Sequence, residues 1–180
     1  MSIYKRRLKA DETFSEGGYK NTVWFAALTD FLSLKAPVAP FTNLGDKFKI
    51  TTAHTFGAND GFIQWRCKKH AVTSTVETTG EDGSKSLTYK FRFTILGDNA
   101  STQEQMQEML NDDLIVLLKD QDCINTNEYV QFGDSCTTPD YTVSADFKTT
   151  KEGLKEWTVE GTVKGKRFFY SAAVTEKPVV

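Results

Sequence analysis

Between Leu87 and Lys119 the chain passes from a period of two, through a helical period, to an unbroken apolar run, and no other stretch limits the fold as strongly. Leu87, Tyr89, Phe91, Phe93 and Ile95 alternate with Thr88, Lys90, Arg92 and Thr94, the pattern of a strand with one buried face. Gly97, Asp98, Asn99 and Ala100 interrupt it. Ser101, followed three residues later by Glu104, reads as a capping box in which two side chains satisfy free amides at a helix start. A short helix is therefore expected over about 101–112, with Ser101 as its cap. Met106, Met109 and Leu110 share one face of that helix, leaving Gln103, Glu104, Gln107 and Glu108 to solvent. Asn111, Asp112 and Asp113 end it, because short polar side chains compete for backbone hydrogen bonds. Leu114, Ile115, Val116, Leu117 and Leu118 follow as an apolar run expected to be a strand buried on both faces.

The flanking chain reads as β-structure. Strands are expected over 47–52, 62–70, 73–79, 128–132, 141–149, 155–164 and 168–174, with glycines and Pro139 at the turns, and 73–79 forms a hairpin with the Leu87 strand. Val23–Leu34 fits a helix face through Trp24, Ala27, Leu28, Phe31 and Leu32, and also fits alternation; its β-branched and aromatic start favours a strand. Pro37 and Pro40 impose an extended connection after it. Many short strands with one helix between two of them imply a mainly β protein, a β-sandwich or partly closed antiparallel barrel with the helix on its flank.

A length of 180 residues suits one domain, expected over 19–180. Residues 1–18 are polar, carry Lys5, Arg6, Arg7 and Lys9, and read as an N-terminal arm. A net charge of −2 argues against a protein that holds nucleic acid by bulk charge. No apolar run approaches the ~20 residues that cross a bilayer, and Met1 leads into Tyr4 and the basic cluster without the apolar centre of a signal peptide, so synthesis and retention in a cytoplasm are expected, with no membrane partner. Cys67, Cys123 and Cys136 are odd in number and unevenly spaced; reduced thiols are expected, although Cys123 and Cys136 could meet across a hairpin.

Chemistry-bearing patterns are sparse. Cys67 and His70 make half of a zinc set without a second pair. His54 beside Asp60 could be a general base, but no nucleophile setting accompanies it. Asp112, Asp113, Asp120 and Asp122 bracket a strand without the spacing of a calcium loop and read as solvated termini. Lys68, Lys69, Lys90 and Arg92 could face phosphate, but Glu77 and Glu81 offset them, and an ordinary polar face of both signs is the simpler reading. No catalytic, cofactor or metal site is assigned, and the chain is expected not to be an enzyme.

Thr94-Ile95-Leu96-Gly97-Asp98-Asn99-Ala100, the short helix, Asn111-Asp112-Asp113-Leu114-Ile115-Val116-Leu117, and then Tyr129-Val130-Gln131-Phe132-Gly133 resemble structural proteins of tailed bacteriophages of the tail-tube type. The likeness covers about Thr22 to Val174 at the level of element order. It implies a β-sandwich with one flanking helix, copies of which join into rings of hexameric or higher symmetry that stack around a DNA channel. It also implies a virion location after synthesis in a bacterial host, neighbouring virion proteins as partners, and DNA passage without specific contact. The position in the particle, whether tube, connector ring or capsid decoration, stays open. A soluble β-barrel holding a small apolar ligand near Trp24, Trp65 and Trp157 is the alternative from another class. Under the assembly reading Ile3, Tyr4 and Leu8 would occupy shallow pockets on a neighbour while Lys5, Arg6 and Arg7 meet its acidic loops.

Overall fold

The structure, a computed structural model, describes residues 18–121, 129–149 and 153–178. Within them the strands are β1 (Tyr19–Ala27), β2 (Phe31–Ser33), β3 (Lys49–Ile50), β4 (Thr55–Phe56), β5 (Ile63–Arg66), β6 (Thr73–Thr79), β7 (Ser86–Leu96), β8 (Leu114–Asp120), β9 (Tyr129–Phe132), β10 (Asp140–Asp146), β11 (Glu156–Lys164) and β12 (Arg167–Tyr170). Helix α1 (Ala100–Met109) stands between β7 and β8. The β-branched and aromatic alternation around Phe91 makes β7 the longest strand. It pairs antiparallel with β11 on one side and with β6, through the expected hairpin, on the other.

Two sheets make a sandwich. The larger has the order β3-β12-β9-β8-β1-β5 and the smaller β10-β11-β7-β6, while β2 and β4 form a separate two-stranded ribbon. All pairs are antiparallel except β12 with β3, where Phe169 and Tyr170 lie beside Lys49 and Ile50. The mainly β, sandwich-like reading of the sequence is thus what the chain adopts, with helix α1 on the flank. The facing surfaces of the two sheets share one core: Val23, Phe25, Val116, Leu118, Val130 and Phe132 meet Phe91, Phe93, Val159 and Val163. Met106 and Met109 add the buried face of α1 to it. The hydroxyl of Tyr141 on β10 crosses between the layers to donate to the Leu114 carbonyl on β8 at 3.0 Å.

The opposite face of the larger sheet carries a second core of Trp24, Ala26, Ile50, Phe62, Leu117 and Tyr170. Phe31 and Phe56 of the ribbon, with Ala172 and Val174 of the C-terminal segment, lie over it. Leu114 through Leu118 are all buried, since β8 sits between β9 and β1 with a core on each side. This matches the expectation from the unbroken apolar run. Such two-sided burial releases alternation from the sequence, because every position is an inside position.

Several local readings need correction. The helix is capped by Asn99 and not by Ser101: the Asn99 side-chain oxygen accepts from the Thr102 amide at 2.8 Å, and Ser101 is an exposed residue of the first turn. Both Asn99 and Ser101 are cap formers, and the choice follows where β7 releases the chain. Gly97 turns with φ 105° and donates to the Lys155 carbonyl at 2.9 Å, so Asn99 is the residue left extended ahead of the first helical turn. The helix ends at Met109, earlier than the expected 112, and Leu110 is 47% exposed in place of sharing the buried face. In the Val23–Leu34 segment the strand ends at Ala27, Leu28–Asp30 form a 3-10 turn, and β2 takes up Phe31–Ser33. The strand expected over 47–52 is only Lys49–Ile50, and the one expected over 62–70 is only Ile63–Arg66.

Asn99→Ala should destabilise the protein by about 0.5–2 kcal/mol in urea unfolding, while Ser101→Ala leaves the midpoint nearly unmoved. A larger effect at Ser101 would mean that the helix starts two residues later. At the centre of the smaller sheet Gly161 lies opposite Phe91, and a methyl group on it would sit 2.1 Å from the ring. Gly161→Ala should therefore cost about 1–3 kcal/mol through displacement of Phe91, read in the same assay.

Candidate functional site

The polar residues that the sequence offered as sites are dispersed by the fold. Cys67 is buried in the main core, where burial pushes its thiol up to about 12, whereas His70 is exposed on a turn with φ 60°. They do not share a ligand position. Asp120 ends β8 and Asp112 lies in the turn before its start, so the seven-residue strand, about 20 Å long, stands between them. Asp113 is engaged by the Thr138 hydroxyl at 2.5 Å, and Asp122 and Cys123 lie outside the described residues. Cys136 is exposed beside Ser135. On the outer face of the smaller sheet the cations meet anions from neighbouring strands: Lys90 with Glu77 at 2.7 Å, Arg92 with Glu160 at 3.4 Å, and Lys68 with Glu156 at 2.5 Å. That face carries both signs in alternation, as the simpler reading had it.

His54 has a structural setting of its own. It is 2% exposed and stacks on Tyr170 with centroids 4.6 Å apart, with Phe31 and Phe62 at its edges. The Lys35 amide donates to its Nδ1 at 3.0 Å, which leaves the proton on Nε2 to be donated to Gln131 Oε1 at 2.8 Å. Gln131 in turn donates to the Gly133 carbonyl at 3.0 Å. Asp60 is turned to Lys177 at 3.5 Å, so the His54–Asp60 pair weighed from sequence does not form. Every polar atom of this chain of groups is satisfied, and it fastens the segment before β4 to the larger sheet. Burial lowers the imidazole from 6.5 to about 4, helped by the Lys35 charge and opposed by the bond to Gln131.

Two surface features remain that sequence reasoning missed. Of the eleven large apolar side chains left exposed among the described residues, Leu32, Val38, Phe41, Leu44 and Phe48 fall in one segment running from β2 to the start of β3. Leu32 and Val38 are each 75% exposed. The signal was present in the apolar residues around Pro37 and Pro40, which follow neither period and so belong to no buried face. The second feature is a cleft of about 180 Å³ where α1 leans on the open edge of the larger sheet. Phe25, Ile63, Trp65 and Met109 form its apolar floor, and Asp30, Glu108 and Asp112 stand at its rim. No local pattern could announce it, since its walls come from β1, the Leu28–Asp30 turn, β5, α1 and the start of β8, spread over residues 25–114.

The candidate interface residues Ile3, Tyr4, Lys5, Arg6, Arg7 and Leu8 lie outside the described residues. The three tryptophans weighed as a ligand cage are apart and packed: Trp24 meets Tyr129 edge-on and donates to Glu176 at 2.8 Å, Trp65 lies on Phe25, and Trp157 on Phe147.

Because the folded imidazole of His54 holds a pKa near 4 against 6.5 for the free side chain, the unfolded chain binds the extra proton between those values. The contribution of the neutral, buried ring to stability is full above the unfolded pKa and falls as pH drops toward the folded one, by about 3 kcal/mol in all. His54→Phe should flatten the dependence of the urea midpoint over that window while lowering stability at neutral pH, and an undiminished slope would place the titration on other groups. No protein-family model, curated protein or solved structure matches the chain.

Proposed function

We propose that the protein is a structural building block of a phage particle, a tail-tube-like or connector-ring subunit that self-assembles around the DNA channel. The observation that carries the self-assembly part of this reading is the exposed apolar segment from Leu32 to Phe48. A chain that works as a free monomer rarely leaves so many apolar side chains in water along one segment, whereas a subunit covers them with a neighbour. The phage assignment itself rests on the resemblance of the Thr94–Leu117 stretch and on the sandwich with one flanking helix, which accords with it.

The mixed-charge outer face of the smaller sheet supports the same division of labour. Exposed ion pairs across strands add little stability each, yet they keep a broad, flat sheet soluble and leave the apolar segment as the adhesive surface. The small-ligand reading is disfavoured by the packing of Trp24, Trp65 and Trp157 into separate contacts.

Sedimentation velocity over a wide concentration range should give a monomer in equilibrium with a discrete ring, and electron microscopy should image that ring. Val38→Asp with Leu44→Asp should weaken assembly by about a hundredfold or more without unfolding the chain, given about 1.5–3 kcal/mol per buried aliphatic side chain. A protein that stays monomeric at all concentrations would overturn the reading.

A further inference from the structure

The cleft beside α1 is electrostatically unfinished. None of Asp30, Glu108 and Asp112 has a cationic partner among the described residues. Glu108 also sits in the last turn of α1, where the unpaired carbonyls already concentrate negative potential, and that turn carries no basic residue. The like charges of carboxylate and helix end oppose each other until a cation is supplied from elsewhere. Below this rim the floor is apolar, with Phe25 and Trp65 stacked edge to face at 4.5 Å. At about 180 Å³ the space is smaller than the roughly 300–1,000 Å³ of a drug-sized ligand site and suits a few side chains. An apolar anchor carrying adjacent positive charges fits both the floor and the rim.

The chain contains such a segment. Ile3, Tyr4 and Leu8 surround Lys5, Arg6 and Arg7, and Lys9 follows. We propose that the Ile3–Leu8 segment of one copy docks into the α1 cleft of a second copy, the aromatic or aliphatic side chains seated on Phe25, Ile63 and Trp65 and the basic ones on Asp30, Glu108 and Asp112. The inference rests on the ring-subunit reading for the presence of a second copy, and it names the contact by which copies join.

The ring-subunit reading supplies a neighbour's arm for this cleft. The arm enters the fold at Tyr19, the first residue of β1, whereas the cleft lies at the other end of that strand, beside Ala27, the Leu28–Asp30 turn and Leu114. Eight residues of extended chain separate the two by about 26 Å, a distance that the eleven residues from Leu8 to Tyr19 can also span, at about 36 Å when extended, so the isotope pattern of the crosslinks below decides which copy's arm is bound. Arm and cleft are different surfaces, so a contact in which each copy's arm enters the next copy's cleft is head-to-tail. A heterologous contact of this kind adds copies along an axis or around a ring, in contrast to the self-limiting pair made by a two-fold interface. The Leu32–Phe48 surface is a separate segment and can hold a second type of contact at the same time.

The test uses the full chain. A photoreactive benzoylphenylalanine is placed at Tyr4, chains of natural and heavy nitrogen isotope are mixed before concentration, and the crosslinked peptides are read by mass spectrometry. Crosslinks from position 4 to peptides holding Ile63–Trp65 or Met109, with mixed isotopes in about half of them, are expected. In parallel, R6E with R7E, and separately E108K with D112K, should each weaken assembly at least tenfold, and the combined four-site variant should recover most of the loss. Crosslinks at the cleft with like isotopes only would overturn the proposal by assigning the site to the chain's own arm. Oligomers that form with no crosslink at the cleft and no response to charge reversal would overturn it while leaving the ring-subunit reading intact. A monomer under all conditions would overturn both.

Discussion

The burial of β8 on both faces is the constraint from which the rest of the architecture follows. A run of five apolar residues in a strand cannot be served by a sandwich partner on one side only, because alternate side chains point away from it. With about 1.5–3 kcal/mol at stake for each side chain, the face turned from the sandwich needs its own cover. The chain provides it from segments with little regular structure: the β2–β4 ribbon, Phe62 and the C-terminal residues through Val174 lie on Ala26, Leu117 and Tyr170. Backbone in such a segment must still find hydrogen-bond partners, and the Lys35–His54–Gln131–Gly133 series supplies them at the least solvated point. The neutral histidine there is a consequence of covering β8, and its chemistry is that of a clamp.

The same constraint distributes the surface. Side chains between β2 and β3 belong to a covering segment that is anchored at its ends by Phe31 and Ile50, so the residues between them have no inner face to occupy. Leu32, Val38, Phe41, Leu44 and Phe48 stay outside. The smaller sheet, by contrast, needs cover on one face only and alternates accordingly, with Phe91 and Phe93 inside and Lys90 and Arg92 outside in ion pairs with Glu77 and Glu160. One side of the molecule is thus polar by alternation and another apolar by default. The helix adds a third region, since it leans on the free edge of the larger sheet without filling the angle between them, and Glu108 of its last turn, with Asp112 just beyond it, is left facing that gap.

Alternation and apolar runs were legible because they are local records of how many faces a strand buries. The alternation of Leu87–Ile95 specifies a strand with one buried face, and of its apolar residues only Leu87, at the start, is exposed, at 47%; the run Leu114–Leu118 specifies a strand buried on both faces, and the helical spacing places Met106 and Met109 inside. What failed was local competition between equivalent signals. Asn99 and Ser101 are both good caps, and only the hydrogen bond of Gly97 to Lys155, on a strand distant in sequence, places the chain so that Asn99 takes the role. Leu110 was assigned to the buried face by spacing, yet the helix ends at Met109 before that position can turn inward.

The amino-acid sequence by itself determined the element types, the two-sided burial of β8 and the polar character of the smaller sheet's outer face, because each depends on side chains adjacent along one strand or one helix turn. Tertiary structure alone decided what covers the second face of the larger sheet, which histidine is locked neutral and where an acidic, apolar-floored cleft opens. Those properties come from groups far apart in the chain: Lys35, His54 and Gln131 in one case, Asp30, Trp65 and Glu108 in the other. Their charges and surfaces interact through space over a few ångströms, a distance that sequence separation does not encode.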